Sequence, residues 1–252
     1  MARSFDNLFI GGSWVPAGAA FDDLNPADGT VWARVADGNG GMAVRAIESA
    51  QAAFPQWSGL TYSERAHYML KVADEFERRR DDLVAALQGE GGGWFGKGMF
   101  ESGYVPEVFR AAAAMTYNAI GEVLPSDHGK VSLAMRRAMG VVTVISPWNF
   151  PTLLTARGLA FPIAAGNCVV LKPSEETPYT GGMIFAEIFE AAGVPPGVLN
   201  VVTCSRENVP AVGDMIVEHP LVKGISFTGS TPVGRVIAAK AGAHLKKCCV
   251  EL

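Results

Sequence analysis

Several short segments of this 252-residue chain carry residue types suited to acyl transfer and phosphate binding. In Pro147-Trp148-Asn149-Phe150-Pro151, two prolines bracket a side-chain amide whose N–H can donate to a developing oxyanion. Asn also shapes turns, and residue type alone leaves both roles open. Glu251 closes an apolar run at residues 247–251. A carboxylate is costly to bury there without a partner, and strand burial would raise its pKa and make it a better base. Gly229-Ser230 follow a run ending at Phe227 and open a helical stretch, with Gly234 placed for close helix–strand packing. The free N–H groups and positive dipole end of such a helix suit a pyrophosphate. The spacing is not the six-residue glycine fingerprint of ordinary dinucleotide folds, so a structural turn fits it equally well. Lys172 and Glu175 sit just past another apolar run, and by type alone they read as a snorkelling cation and an exposed loop charge.

These residues need a scaffold, and from residue 140 onward the pattern is regular. Apolar, β-branched runs at 141–145, 168–171, 199–202, 224–227 and 247–251 alternate with helical stretches at 152–165, 179–192, 209–218 and 232–241. Pro151 and Pro178 stand where a first helical turn tolerates a missing N–H, and Gly166 and Gly193 follow helix ends. Near-continuous apolar strands joined by helices predict an α/β fold with a doubly wound parallel sheet. Such sheets bind ligands at the carboxyl ends of their strands. The first half is mixed. Residues 8–10 and 13–15 flank Gly11-Gly12 as a hairpin, and helices are predicted at 42–54, 62–87 and 107–120. Thr61 with Glu64 gives the second of these a capping box, and the glycines of 89–98 break helix. Residues 122–124 and 131–137 form a second hairpin that projects from the sheet.

Composition excludes several classes. With 49% hydrophobic and 18% charged residues the chain is globular, and a net charge of -4 argues against a nucleic-acid or polybasic membrane surface. The mixed-sign run Glu77 to Asp82 reads as a solvated helix end. No apolar stretch approaches a membrane span, and Asp6 and Asn7 interrupt the start where a signal peptide needs an apolar run. Cys168, Cys204, Cys248 and Cys249 lack metal-ligand spacing, so no metal site is expected, and free thiols point to a cytoplasmic location. Cys248 and Cys249 point to opposite faces of one strand and Cys168 opens a buried one; each reads as a small apolar filler rather than a nucleophile.

Residues 145–151, 171–178, 227–234 and 250–252, with Pro195-Pro196-Gly197-Val198-Leu199-Asn200 between them, stand in an order that resembles the aldehyde dehydrogenase superfamily. The resemblance covers essentially the whole chain, less closely before residue 120. It implies a Rossmann-like fold of aldehyde dehydrogenase type. Residues 1–252 would be an NAD-binding domain, 121–140 an oligomerisation hairpin, and a catalytic domain would follow after residue 252. It implies pyrophosphate contacts at Ser230 and Val233, with Gly229 as a cofactor-binding residue opening the same helix, and backbone contacts from Ile145, Ser146, Trp148 and Gly213. Lys172 and Glu175 would hold the adenosine ribose, and Leu252 would lie near the nicotinamide. A carboxylate at Glu175 favours NAD over NADP, while Lys172 and Ser174 leave NADP open if Glu175 swings away.

For the chemistry, the resemblance assigns Asn149 the oxyanion role and Glu251 the activation of water against a thioester. It puts the nucleophilic cysteine a few dozen residues beyond Glu251, so this chain alone should bind NAD without turnover. The implied reaction oxidises an aldehyde to an acid through a thiohemiacetal and a thioester. Trp94, Phe95, Leu154 and Arg157 are candidate pocket residues, and Trp94-Phe95 with Arg157 are similar to aromatic-aldehyde members such as benzaldehyde, salicylaldehyde and vanillin dehydrogenases. The glycine-rich 89–98 segment departs from the family's more helical pattern. Two rival readings are a CoA-acylating semialdehyde dehydrogenase, against which Glu251 argues, and a non-catalytic dinucleotide-binding scaffold. Family members usually form homodimers or homotetramers through the hairpin.

Overall fold

A computed structural model describes residues 3–252 of the chain. The first strand, β1 (Arg3–Phe5), is followed by the hairpin β2 (Asn7–Ile10) and β3 (Ser13–Pro16). Gly11 and Gly12 turn it with φ of 65° and 74°, a conformation glycine adopts without a Cβ penalty. Next come β4 (Ala20–Leu24) and β5 (Val31–Ala36); β5 pairs parallel with β1 and antiparallel with β4 in a three-stranded sheet. Sequence periodicity did not reveal this sheet, because Asp22, Asp23 and Arg34 interrupt its apolar pattern.

Helix α1 (Gly40–Gly59) precedes α2 (Tyr62–Arg78), whose predicted capping box is present: Thr61 Oγ1 accepts from the Glu64 N–H, and the Glu64 carboxylate accepts from the Thr61 N–H at 2.7 Å. The single helix expected over 62–87 is two, because the chain breaks at Arg79 before α3 (Arg80–Gly89). Arg79 turns inward, 2.7 Å from Glu187 and bonded to the Tyr179 hydroxyl, so the charge run is not wholly a solvated end. Helix α4 (Phe95–Met115) also starts well before the expected 107. Its glycines are packing devices rather than breakers. A Cβ on Gly98 would stand 3.2 Å from Val84 Cγ1, and one on Gly103 would stand 2.6 Å from the Arg80 guanidinium. Tertiary contact overrides the low helix propensity of glycine here.

β6 (Gly121–Leu124) and β7 (Ser132–Met135) pair antiparallel as a separate ribbon. The regular half then runs β8 (Val141–Ile145), α5 (Pro151–Ala164), β9 (Cys168–Lys172), a wide helical turn (Tyr179–Met183) into α6 (Ile184–Ala191), β10 (Leu199–Val201), α7 (Val209–Glu218), β11 (Val222–Thr228), α8 (Thr231–Ala243) and β12 (Lys247–Glu251). The sheet order is β12-β11-β8-β9-β10-β2-β3. The first five strands are parallel, but β2 joins β10 antiparallel, so the expected all-parallel sheet is mixed. Asn200 fixes that junction by accepting from the Gly11 N–H at 2.8 Å. Helices α5 and α6, backed by α2 and α4, cover one face; α1, α7 and α8 cover the other. β8 and β9 are buried throughout except Ile145, as a strand between two helical layers must be. From β8 the chain winds outward through β9 and β10, then crosses back to β11 and β12. The crevice between the ends of β8 and β11 is therefore the topological switch point, where such sheets take ligands.

Candidate cofactor cleft and acyl-transfer site

A cleft of about 630 Å³ opens at that switch point. Ile145, Ser146 and Trp148 line it from the end of β8, and Lys172, Ser174 and Glu175 from the end of β9. Phe227, Thr228, Gly229, Ser230 and Val233 form the wall after β11. Nine residues named from sequence for cofactor binding thus meet in one crevice. Gly213, on α7, and Leu252 do not line it. The Leu252 side chain instead fills the space a Cβ on Gly234 would need, which is why that helix position is glycine.

Lys172 is not a snorkelling surface cation. It is 5% exposed, and its ammonium lies 3.3 Å from the Glu175 carboxylate. Burial pushes the Glu175 carboxyl up, but Lys172, with help from Arg206, outweighs it and holds its pKa below the usual value. Glu175 is therefore an ionised acceptor pointing into the cleft, the state that receives two hydroxyl donors. Arg206, 3.5 Å from Glu175 and hydrogen-bonded to Glu176, closes that end of the crevice and was not anticipated.

On the opposite wall, α8 begins with an open N-terminus. Ser230 is the N-cap without a side-chain cap bond, Pro232 has no N–H, and the Gly234 N–H makes the first intrahelical bond to Ser230 at 2.9 Å. The uncapped N–H groups ahead of it face the cleft, and the helix dipole adds positive potential there. Gly229 has two constraints: its N–H donates to the Glu251 carbonyl at 3.1 Å, and a Cβ would stand 2.6 Å from the Phe227 ring. A buried cation, an ionised carboxylate and an open helix start fit the ribose and pyrophosphate of a dinucleotide.

Asn149 and Glu251 sit at the same carboxyl edge of the sheet but outside the cleft lining. Asn149 is exposed, and its amide bonds to no group among the described residues. Glu251 corrects an expectation. Its side chain is 53% exposed, since β12 is an edge strand, and the burial that would strengthen it as a base is not provided by this chain. Arg157, on α5, lies 3.6 Å from it. Trp94 and Phe95, at the start of α4, are largely exposed, as are Phe100 and Tyr104 further along it, whose rings stack 5.7 Å apart. Burial pushes the Cys168 thiol up to about 12 and the Cys204 thiol up to about 11, which keeps both protonated and unreactive near neutrality. Cys248 is half-buried, but Cys249 is exposed and so is no buried filler.

Three buried carboxylates, Asp23, Glu90 and Glu101, escaped the sequence reading, and two of them seat helical turns beside the site. Glu90, in the glycine-rich segment, accepts from the Tyr179 and Thr180 N–H groups at 2.6 and 2.7 Å and so seats the turn after the Lys172 loop. Glu101, on α4, does the same for the start of α5. Their only local signal is a carboxylate inside a small-residue stretch; their partners lie far away in sequence.

Comparison with known proteins agrees with this geometry. Residues 14–252 match the aldehyde dehydrogenase family. The chain is 39% identical over 252 residues to a vanillin dehydrogenase of Pseudomonas sp. (strain HR199 / DSM 7063), with 97% of this chain and 51% of that protein covered. It superposes on an NAD-dependent benzaldehyde dehydrogenase from Corynebacterium glutamicum with a TM-score of 0.92 and 37% identity, over 98% of this chain and 54% of that one. A salicylaldehyde dehydrogenase from Pseudomonas putida G7, complexed with salicylaldehyde, gives a TM-score of 0.94 at 33% identity over 98% and 51%. The chain spans about half the length of the relatives it matches. Sheet order, cleft and sequence together establish that this chain belongs to the aldehyde dehydrogenase family.

Proposed function

We propose that this chain is the NAD-binding part of an enzyme that oxidises an aromatic aldehyde to its carboxylic acid. The observation that carries the reading is the convergence of Lys172, Glu175, Gly229, Ser230 and Val233 on one cleft at the switch point. Lys172 and Glu175 hold the adenosine ribose, and the start of α8 holds the pyrophosphate. NAD supplies the hydride acceptor. Because Glu175 is held ionised by Lys172, it accepts from ribose hydroxyls and repels a 2′-phosphate, which favours NAD over NADP. Asn149 donates its amide N–H to the oxyanion that develops on the substrate carbonyl. Glu251 takes the proton of the water that hydrolyses the thioester, which supports an acid product over acyl transfer to CoA. The thiol that forms the thioester is neither Cys168 nor Cys204, because burial holds both protonated.

The aromatic preference is supported by the exposed, stacked Phe100 and Tyr104 rings on α4 and by the relatives' names. Steady-state turnover of the intact enzyme on benzaldehyde-type and short aliphatic aldehydes, each with NAD and NADP, tests both preferences. Higher kcat/KM for aromatic substrates with NAD is expected. Activity confined to short aliphatic aldehydes, or a clear NADP preference, would overturn them.

A further inference from the structure

We propose that Glu101 is a positioning residue that holds Asn149 in register with the reacting carbonyl; the proposal rests on the oxyanion reading of Asn149. The problem it solves lies at the start of α5. The N-cap there is Phe150, whose side chain cannot cap, and the first helical residue, Pro151, has no N–H. Two donors remain, the N–H groups of Thr152 and Leu153, and both are buried. The next, from Leu154, already bonds Phe150 at 2.9 Å. Both remaining donors go to one atom, Oε2 of Glu101, at 3.2 and 3.1 Å.

Glu101 comes from a different helix, α4, and its side chain is wholly buried. Its other oxygen, Oε1, accepts from Lys97 Nζ at 2.6 Å, and that ammonium also stands 4.8 Å from the centre of the Phe150 ring. One ion pair therefore grips the Asn149-Phe150-Pro151 segment twice, through the main chain after it and through the Phe150 ring. A buried carboxylate with no role in the cleft is costly unless every lone pair is used, and here both oxygens are engaged. Asn149 itself has no partner among the described residues, so its amide is aimed only by the backbone on which it stands. Fixing that backbone from α4 is the means the fold has of fixing the amide.

The test is a mutant cycle in the intact enzyme, with kcat for an aromatic aldehyde and the NAD dissociation constant as readouts. Glu101→Ala is expected to lower kcat by about ten- to a hundredfold, the scale of a small misplacement of a catalytic group, with NAD affinity changed less than about twofold. Glu101→Gln, which keeps an acceptor oxygen but loses the charge, is expected to lose only a few-fold, and it carries the test if the alanine variant does not fold. In an Asn149→Ala background neither substitution should lower kcat further, whereas a merely structural role would lower it by the same factor in both backgrounds. Equal losses in the two backgrounds, or a loss of NAD affinity matching the loss of kcat, would overturn the proposal alone. An Asn149→Ala variant with unchanged kcat would remove the oxyanion reading itself.

Discussion

In the proposed mechanism Glu251 serves the site with two different atoms. Its carbonyl accepts from the Gly229 N–H and so holds the loop that opens α8, while its carboxylate, on an edge strand, is free to meet water. Only the second function depends on charge, so Glu251→Gln should leave the cleft intact and stop hydrolysis. In the intact enzyme this variant is expected to accumulate the acylated cysteine, seen as a protein mass increase of one acyl group after mixing with aldehyde and NAD. Unchanged turnover by a normally folded variant would contradict the role. At this scale the sequence was readable where one residue sufficed and opaque where a partner mattered. Asn149 and Glu251 stood out as candidates in their own segments, while the roles proposed for them come from the family resemblance. Lys172 looked like a surface cation because nothing in its own segment reports that it lies beneath the sheet edge facing Glu175. Arg206 and Glu101 were invisible, since their partners stand on other elements.

Elements whose pattern follows burial on both faces were legible: β8 runs over 141–145 as expected, and β9 over Cys168–Lys172 against the expected 168–171. Elements whose small or polar residues serve tertiary contacts were not, as α4 with its glycines and β4 with its aspartates illustrate. β4 carries an unusual energetic load. Asp23 is buried against Glu90, and burial first, then the neighbouring carboxylate, pushes its pKa up to about 10. Burial likewise pushes Glu90 up, to about 7, against the hydrogen bonds it accepts from Thr180 and Tyr179. The folded chain thus keeps a proton that the unfolded chain releases above about pH 4, where free carboxyls titrate. Raised folded pKa values mean that stability falls as pH rises through this window, by up to about 1.4 kcal/mol per pH unit per retained proton. Asp23→Asn removes the titrating carboxyl from this buried position, and it should flatten the slope and raise stability at pH 8. Urea unfolding at pH 5 and pH 8 measures this; a slope equal to that of the parent chain would contradict the account.

On the scale of the whole molecule, the chain presents two faces shaped for something else. The β6–β7 ribbon exposes Val123 and Leu133, with Val131 at its turn 78% exposed, and among the described residues its two strands pair only with each other. It is the proposed oligomer contact, and Val123→Lys with Leu133→Glu in the intact enzyme should shift sedimentation from a dimer or tetramer to a monomer; an unchanged assembly would contradict it. Among the described residues no helix is long and apolar enough to cross a membrane. The second face is the cleft, on which the central claim rests. Its most direct test is calorimetric titration of NAD into this chain and into its Lys172→Ala variant. The account predicts one saturable site in the parent, competed by ADP-ribose and weakened about tenfold or more by the substitution, the scale of a lost charged hydrogen bond. A folded parent chain that takes up no NAD, or a Lys172→Ala variant that binds it as well as the parent does, would contradict the account.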